Sequence, residues 1–342
     1  MKKVRLGKTE LLVTKPSMGC LPVQRRSVEE GAALIRAAYE AGINFFDTAN
    51  AYTDSEKKLG IALHDVREQV IIATKSASRT RQGLLEHVEN SLQMLQTDYI
   101  DLLQFHMIPE LPDFDDPEGY YAGALEAKAR GWVRHIGATT HRVAVAEAAI
   151  DCGKFETLQF PFSYISTDRD LALAGKCAQA DMGFIAMKGL AGGLLTNERA
   201  CHAFMKSYPN VIPIWGIQWE EELEKWLAVA AEDPDLDEEL AAVIRADREQ
   251  LAGEFCRGCG YCLPCPVGIE INNAARMNML LRRSPWQQYY TPEWREKMER
   301  IEDCLECRSC AGKCPYQLDT PNILKYMLAD WRQYYEEHKN QL

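Results

Sequence analysis

Residues 43–52 read INFFDTANAY, an apolar run cut off by an aspartate, with a tyrosine five positions further on. A run this short, closed by polar residues, fits a strand buried on both faces better than a helix, which needs more length. The flanks agree. SVEEGAALIRAAYEAG (27–42) carries apolar residues at helical spacing, and VIIATK (70–75) is another short apolar run. The alternation continues through KPSMGC (15–20), YIDLLQFH (99–106), VRHIGAT (133–139), TLQFPF (157–162), GFIAMK (183–188) and NVIPIWG (210–216), which makes eight strand candidates. Helical stretches such as GLLEHVENSLQML (83–95) lie between most of them. Eight such units predict an α/β fold, a (β/α)8 or TIM barrel, whose usual size is roughly 250 residues. A doubly wound open sheet is the competing arrangement, but no G-x-G-x-x-G follows the first strand.

In such barrels the working residues stand at the C-terminal ends of the strands. The polar strand ends are Asp47, Lys75 and His106, with Tyr52 in the loop beyond Asp47. Each alone has a plain explanation as a cap, a solvated strand end, a satisfied imidazole or a packed ring. Their shared placement after the second, third and fourth strands points to chemistry. A phenol, with an ordinary pKa of about 10, needs help to act as an acid at neutral pH. A nearby ammonium supplies that help, and a carboxylate holds the ammonium in place.

FFDTANAY followed by SEKKLG, then IIATKS and LLQFH, resembles the aldo-keto reductase pattern of D-x4-Y, a strand-end lysine and a strand-end histidine. The resemblance spans residues 1 to about 230. It implies Tyr52 as proton donor to a substrate carbonyl, Lys75 and Asp47 as its tuning pair, and His106 as the group that orients or polarises the carbonyl. It also implies a nicotinamide as hydride carrier, its amide held by Thr139, Thr140 and Gln159. Thr-Thr departs from the family's usual Ser-Asn, and Met187 stands where an aromatic usually stacks on the ring. MKGLAGGLL (187–195) resembles the family's loop over the cofactor pyrophosphate, with Lys188, Gly189, Gly192 and Gly193 as contacts. After the eighth strand the family usually places basic side chains for the 2'-phosphate of NADPH. Here WGIQWEEELEKW (215–226) places Glu220, Glu221 and Glu222, which would repel that phosphate and favours NADH over NADPH.

Twelve cysteines divide unevenly: Cys20, Cys152, Cys177 and Cys201 are scattered and fit buried free thiols, while eight fall in two groups after residue 250. CLECRSCAGKCP (304–315) is the C-x2-C-x2-C-x3-C-P run of bacterial ferredoxins, and CRGCGYCLPCP (256–266) is one residue short of it. Paired C-x2-C units can also hold zinc. The ferredoxin resemblance implies two [4Fe-4S] clusters in which the fourth cysteine of each run ligates the other cluster. That assigns Cys256, Cys259, Cys262 and Cys314 to one, and Cys304, Cys307, Cys310 and Cys265 to the other. The stretch between the two runs reads as inserted helices. Similar tails occur on one branch of the aldo-keto reductases.

The expected domains are therefore a barrel over 1–235, an acidic linker or helix over 236–250, and a small α-rich, ferredoxin-like iron–sulfur domain over 251–342. The net charge of −11 is concentrated in residues 216–250, which hold twelve acidic against three basic side chains, and no basic stripe is present to bind nucleic acid. With no long apolar segment and no signal-peptide pattern at the start, the sequence predicts a cytoplasmic protein without a membrane span.

The combined reading is an oxidoreductase that interconverts a small-molecule carbonyl and an alcohol, with clusters that exchange electrons with the active site or with an electron-transfer protein partner. Joining a hydride carrier to one-electron centres normally needs a flavin or a radical, and no motif for either is present. Two alternatives remain: clusters that are purely structural and cap the active site, and a non-enzymatic redox-sensing or electron-transfer module on a barrel scaffold. The acidic, aromatic loop MIPELPDFDDPEGYY (107–121) is expected to help shape the pocket and disfavours a highly anionic substrate.

Overall fold

A computed structural model describes residues 1–251, 255–258, 260–283, 286–314 and 316–341. The chain opens with an antiparallel hairpin, β1 (Lys2–Arg5) and β2 (Leu12–Lys15). Eight parallel strands then close into a barrel: β3 (Ser17–Gly19), β4 (Phe45–Asp47), β5 (Ile71–Ser76), β6 (Ile100–Phe105), β7 (Val133–Thr139), β8 (Thr157–Pro161), β9 (Gly183–Met187) and β10 (Val211–Gly216). Each falls on one of the eight predicted runs, with β5 extending one residue beyond its run to Ser76, and β10 returns to pair with β3. The α/β barrel expectation holds.

The connecting helices are α1 (Val28–Glu40), α2 (Ser55–Leu63), α3 (Arg81–Leu95), α4 (Tyr120–Ala129), α5 (Val143–Asp151), α6 (Asp168–Gln179), α7 (Glu198–Lys206) and α8 (Glu220–Glu232). Local sequence sets where they begin. Ser27 with Glu30 forms a capping box at α1, and Thr167 with Asp170 forms another at α6, each satisfying amides that a helix start leaves open.

The hairpin is the element the sequence did not announce. It brings Leu6 and Val13 into one buried cluster with Phe45, Ala73, Leu102, Ile185, Ile212 and Ile214, so apolar side chains fill one end of the barrel. Fully burying a side chain such as Phe45 or Leu102 contributes roughly 1.5–3 kcal/mol. Its strands are short and carry three lysines and an arginine, so neither alternation nor composition marks them.

Residues 1–189 with 198–242 form one compact unit, and residues 190–197 with 243–342 form a second. Helix α9 (Glu238–Gln250) runs across the boundary. The second unit is built on α10 (Ile271–Ala274), α11 (Met277–Arg283), α12 (Pro292–Glu299), α13 (Ser309–Lys313) and the long α14 (Thr320–His338). Its core is anchored on α14, where Leu324, Met327, Leu328 and Trp331 are buried. Tyr290 stacks on Trp331 at 5.0 Å and donates its hydroxyl to the Trp331 carbonyl at 2.9 Å, so this aromatic of the inserted segment packs within its own unit. Among the described residues no helix is long and apolar enough to cross a membrane.

Candidate active site

Strand ends β4, β5 and β6 put Asp47, Lys75 and His106 at the same end of the barrel. The Lys75 ammonium donates to Asp47 Oδ2 at 2.5 Å and to the Thr48 carbonyl at 2.5 Å, and both side chains of the pair are almost fully buried. The loop carrying Tyr52 is locked to these strands. Thr48 N–H donates to the Ala73 carbonyl, Asn50 N–H to the Lys75 carbonyl, and the Ser55 hydroxyl to the Cys20 carbonyl. Tyr52 therefore sits with its ring centroid 5.2 Å from Lys75 Nζ and 5.7 Å from the His106 ring, edge to face. The four residues that the sequence picked out are gathered at one mouth.

Their electrostatics divide the roles. Burial pushes the Tyr52 phenol above its ordinary value of 10, and the Lys75 charge opposes that rise. Burial alone would lower Lys75, but Asp47 and Tyr52 outweigh it and leave the ammonium raised, so it stays charged. His106 is lowered to about 3 by burial, with Lys75 and Arg79 adding to the effect, so the imidazole is neutral at physiological pH. A neutral imidazole can orient a carbonyl but carries no cation to protonate it.

Asp47 has two further partners. Gln104 Nε2 donates to its Oδ1 at 3.0 Å, and Gln159 Nε2 to its Oδ2 at 3.3 Å. Both glutamines are buried, and the Oε1 atom of each has no hydrogen-bond partner among the described residues. Gln104 was missed in the sequence. The available signal was a single amide in the apolar run LLQF, two positions before His106 and so on the same face of the strand. Glu56 was missed too; its buried carboxyl accepts from the Thr74 hydroxyl at 2.5 Å, and burial raises its pKa.

The remaining predicted positions are distributed as follows. Thr139 Oγ1 accepts from Met107 N–H at 2.8 Å, and the Thr140 hydroxyl donates to the Ile108 carbonyl at 2.9 Å, so both hold the backbone that follows His106. Met187, at the end of β9, is partly buried against the barrel core. Lys188 has φ of +58°, and Gly192 and Gly193 lie at +71° and +91°. Gly189 rests on the Trp215 ring, where a Cβ would come within 2.4 Å of a ring carbon, so only glycine fits. Beyond β10, Glu222 accepts from the backbone N–H groups of Gln218 at 2.6 Å and Trp219 at 3.1 Å. Arg26 pairs with Glu220 at 3.4 Å and lies 4.2 Å over the Trp219 ring, so basic charge reaches this end from the first βα loop. The aromatics of the 107–121 loop pack with one another and the barrel: Phe114 meets Tyr121 at 4.8 Å, and Tyr120 meets Phe105 at 4.7 Å.

In the second unit the cysteines line two cavities. Cys265, Cys304, Cys307 and Cys310, with Cys262, surround one. Cys256, Cys262 and Cys314 surround the other. Cys259 and Pro315 lie outside the described residues. The chain thus carries Cys265 to the other run's first three cysteines, and Cys314 to the first run. Gly258 N–H points at Cys256 Sγ at 3.4 Å, and burial raises the Cys310 thiol. Both are features that thiolate coordination would use or reverse.

Residues 22–243 match the Aldo/keto reductase family, and residues 255–319 match the 4Fe-4S dicluster domain. The chain belongs to the aldo/keto reductase family. It is an aldo/keto reductase with a C-terminal 4Fe-4S dicluster domain. It is 29% identical over 243 residues to an aldo-keto reductase of Alternaria alternata, covering 56% of this chain and just under two thirds (65%) of that relative's length. The barrel is similar to that of an aldo-keto reductase from Bacillus halodurans, with a TM-score of 0.64 and 21% identity over 72% of this chain and 96% of the other. It is also similar to an aldo-keto reductase from Klebsiella pneumoniae solved with NADPH, with a TM-score of 0.61 and 22% identity over 72% of this chain and 95% of the other. At such identities the structural likeness speaks for the fold.

Proposed function

We propose that this aldo/keto reductase interconverts a small-molecule carbonyl and an alcohol with a nicotinamide bound in the barrel mouth, and that it carries two [4Fe-4S] clusters that exchange electrons. The observation that carries the first part is the buried Asp47–Lys75 pair beneath Tyr52, with neutral His106 at its edge. Tyr52 holds the proton for the carbonyl oxygen. As it gives that proton up, the Lys75 ammonium stabilises the phenolate left behind, and Asp47 keeps the ammonium in place. His106 fixes the carbonyl by a hydrogen bond from its neutral ring. The unpartnered Gln159 Oε1 fits a nicotinamide, whose carboxamide brings N–H donors. When bound, the nicotinamide would supply or accept the hydride.

Glu222 supports NADH over NADPH. Its carboxylate already occupies amide N–H groups at the start of α8, where a phosphate would otherwise be attracted. The bound NADPH of the Klebsiella relative is the counter-example against which this preference is set.

The donor set around each cavity, thiolates drawn from both runs, fits cubane clusters, which would supply one-electron carriers. Cys307 is exposed, which favours exchange with a protein partner over a sealed structural role. Tyr52→Phe tests the catalytic assignment. Carbonyl reduction should fall by about 100-fold or more while NADH binding persists, and turnover retained in that variant removes Tyr52 as the acid. Anaerobic titration with NADH tests the electron exchange. Bleaching of the visible cluster absorption means electronic contact, and no bleaching despite NADH binding leaves only other donors or a structural role.

A further inference from the structure

Arg276 sits in the turn between α10 and α11, and its side chain spans two loops that are distant in sequence. Its Nη1 donates to the Gly192 carbonyl at 3.2 Å, across 84 residues of chain. A Cβ at Gly192 would fall 2.3 Å from that nitrogen, and one at Gly258 would fall 3.1 Å from the guanidinium carbon. Both glycines also have positive φ, +71° and +64°. Two backbones have thus been kept bare where one guanidinium passes between them. Gly258 is the residue whose N–H points at Cys256 Sγ. Gly192 belongs to the segment 190–197, which groups with the C-terminal unit although it continues directly from β9 of the barrel.

The arrangement is a poor choice for stability alone. Arg276 Nε is buried and has no acceptor among the described residues, and an apolar side chain of similar length would avoid that cost. What a cation gains here is a relation to negative charge. A thiolate-ligated cluster at Cys256 is anionic, and so is the pyrophosphate that the glycine-rich loop is built to meet.

We propose that Arg276 is a positioning residue that ties the cluster loop of Cys256 to the glycine-rich loop of the nicotinamide site, so that nucleotide binding and the reduction potential of that cluster are coupled. This rests on the nicotinamide and cluster assignments above. Removing the cation disfavours the more negative, reduced cluster, and losing the bond to Gly192 frees the loop. Linkage then demands symmetry: the factor by which a nucleotide shifts the cluster's redox equilibrium equals the factor by which reduction changes nucleotide affinity.

The test uses full-length holoprotein as wild type, Arg276→Met, Arg276→Lys and Gly192→Ala. Iron content, calorimetric binding of NAD+ and of redox-inert ADP-ribose, and spectroscopic midpoints of each cluster with and without ADP-ribose are measured. In the wild type one midpoint should move with ADP-ribose, matched by the affinity change on reduction. Arg276→Met should keep its iron, bind ADP-ribose about tenfold more weakly, and shift the redox equilibrium of one cluster by about tenfold, or about 59 mV for a one-electron centre, to lower potential. Arg276→Lys should restore most of the midpoint and less of the affinity. Gly192→Ala, which crowds the same contact from the loop side, should weaken binding and the coupling together.

If the wild type binds NAD+ but neither midpoint moves with ADP-ribose, the coupling is overturned while the nicotinamide reading stands. Unchanged midpoints and affinities in Arg276→Met do the same. A wild type that binds no dinucleotide overturns both. Should Arg276→Met lose iron, Gly192→Ala decides, since unaltered binding and coupling there refute the tie.

Discussion

The barrel mouth and the cysteine unit solve the problem of holding charge in opposite ways. At the mouth, Asp47 is met by Lys75, Gln104 and Gln159, all buried, and the backbone of the Tyr52 loop is tied to the neighbouring strands. The polypeptide satisfies that carboxylate without help. In the C-terminal unit the thiols line two cavities whose other walls are largely apolar, Ile271 and Leu324 among them. The first region carries its organisation in its own hydrogen bonds, whereas the second, on the reading proposed above, would gain stability from the clusters it binds, as small metal-dependent folds do. A mutation should therefore be read by different instruments in the two places.

The largest effect is expected at the mouth. Lys75→Met strands Asp47 as a buried, uncompensated charge and should cost about 3–5 kcal/mol of barrel stability along with activity. Adding Asp47→Asn should recover much of that stability but none of the activity, which a denaturant series on the three variants would show. Full recovery by neither change would mean that the barrel is not self-sufficient, and the contrast would fail.

Next comes Cys304→Ala, which should remove about half of the iron and loosen the C-terminal unit while the far-ultraviolet signature of the barrel persists. Iron content equal to wild type would refute the assignment of Cys304.

The third effect is a pH dependence. His106 is held neutral down to about 3 in the folded chain but takes a proton near 6.5 when unfolded. The unfolded state binds more protons between those values, so this contribution is complete above pH 6.5 and is lost as pH falls toward 3. His106→Gln should flatten that acid limb of stability, measured as denaturation midpoints at pH 7, 5.5 and 4. A limb as steep as wild type would assign the acid sensitivity elsewhere. The smallest effect concerns the cofactor: Glu222→Gln should raise the preference for NADPH by about two- to fivefold, the worth of a single charge at a helix start, checked by the ratio of kcat/KM with the two nucleotides.

The barrel and its mouth were largely legible in the sequence because its strands are short, mostly apolar runs, and those that build the mouth are closed by a polar residue, as in INFFD and VIIATK. Asp47, Lys75 and His106 are those ends. Legibility failed where the meaning of a residue depends on distant partners. Gln104 looks like a blemish in an apolar strand until Asp47 is set beside it. Three adjacent glutamates look alike in the sequence, yet Glu220 pairs with Arg26 and Glu222 caps a helix. Arg276 gives no local sign of its two glycines. The cysteine runs were readable for the reverse reason, since the spacing that a cluster needs is written along the chain itself.

The opening hairpin gives the barrel two unlike ends. With Leu6 and Val13 packed among Phe45, Leu102 and Ile212, one end is filled by apolar side chains, while Asp47 and Lys75 stand at the other. The first fifteen residues act as a floor for a site assembled from residues 47 to 106.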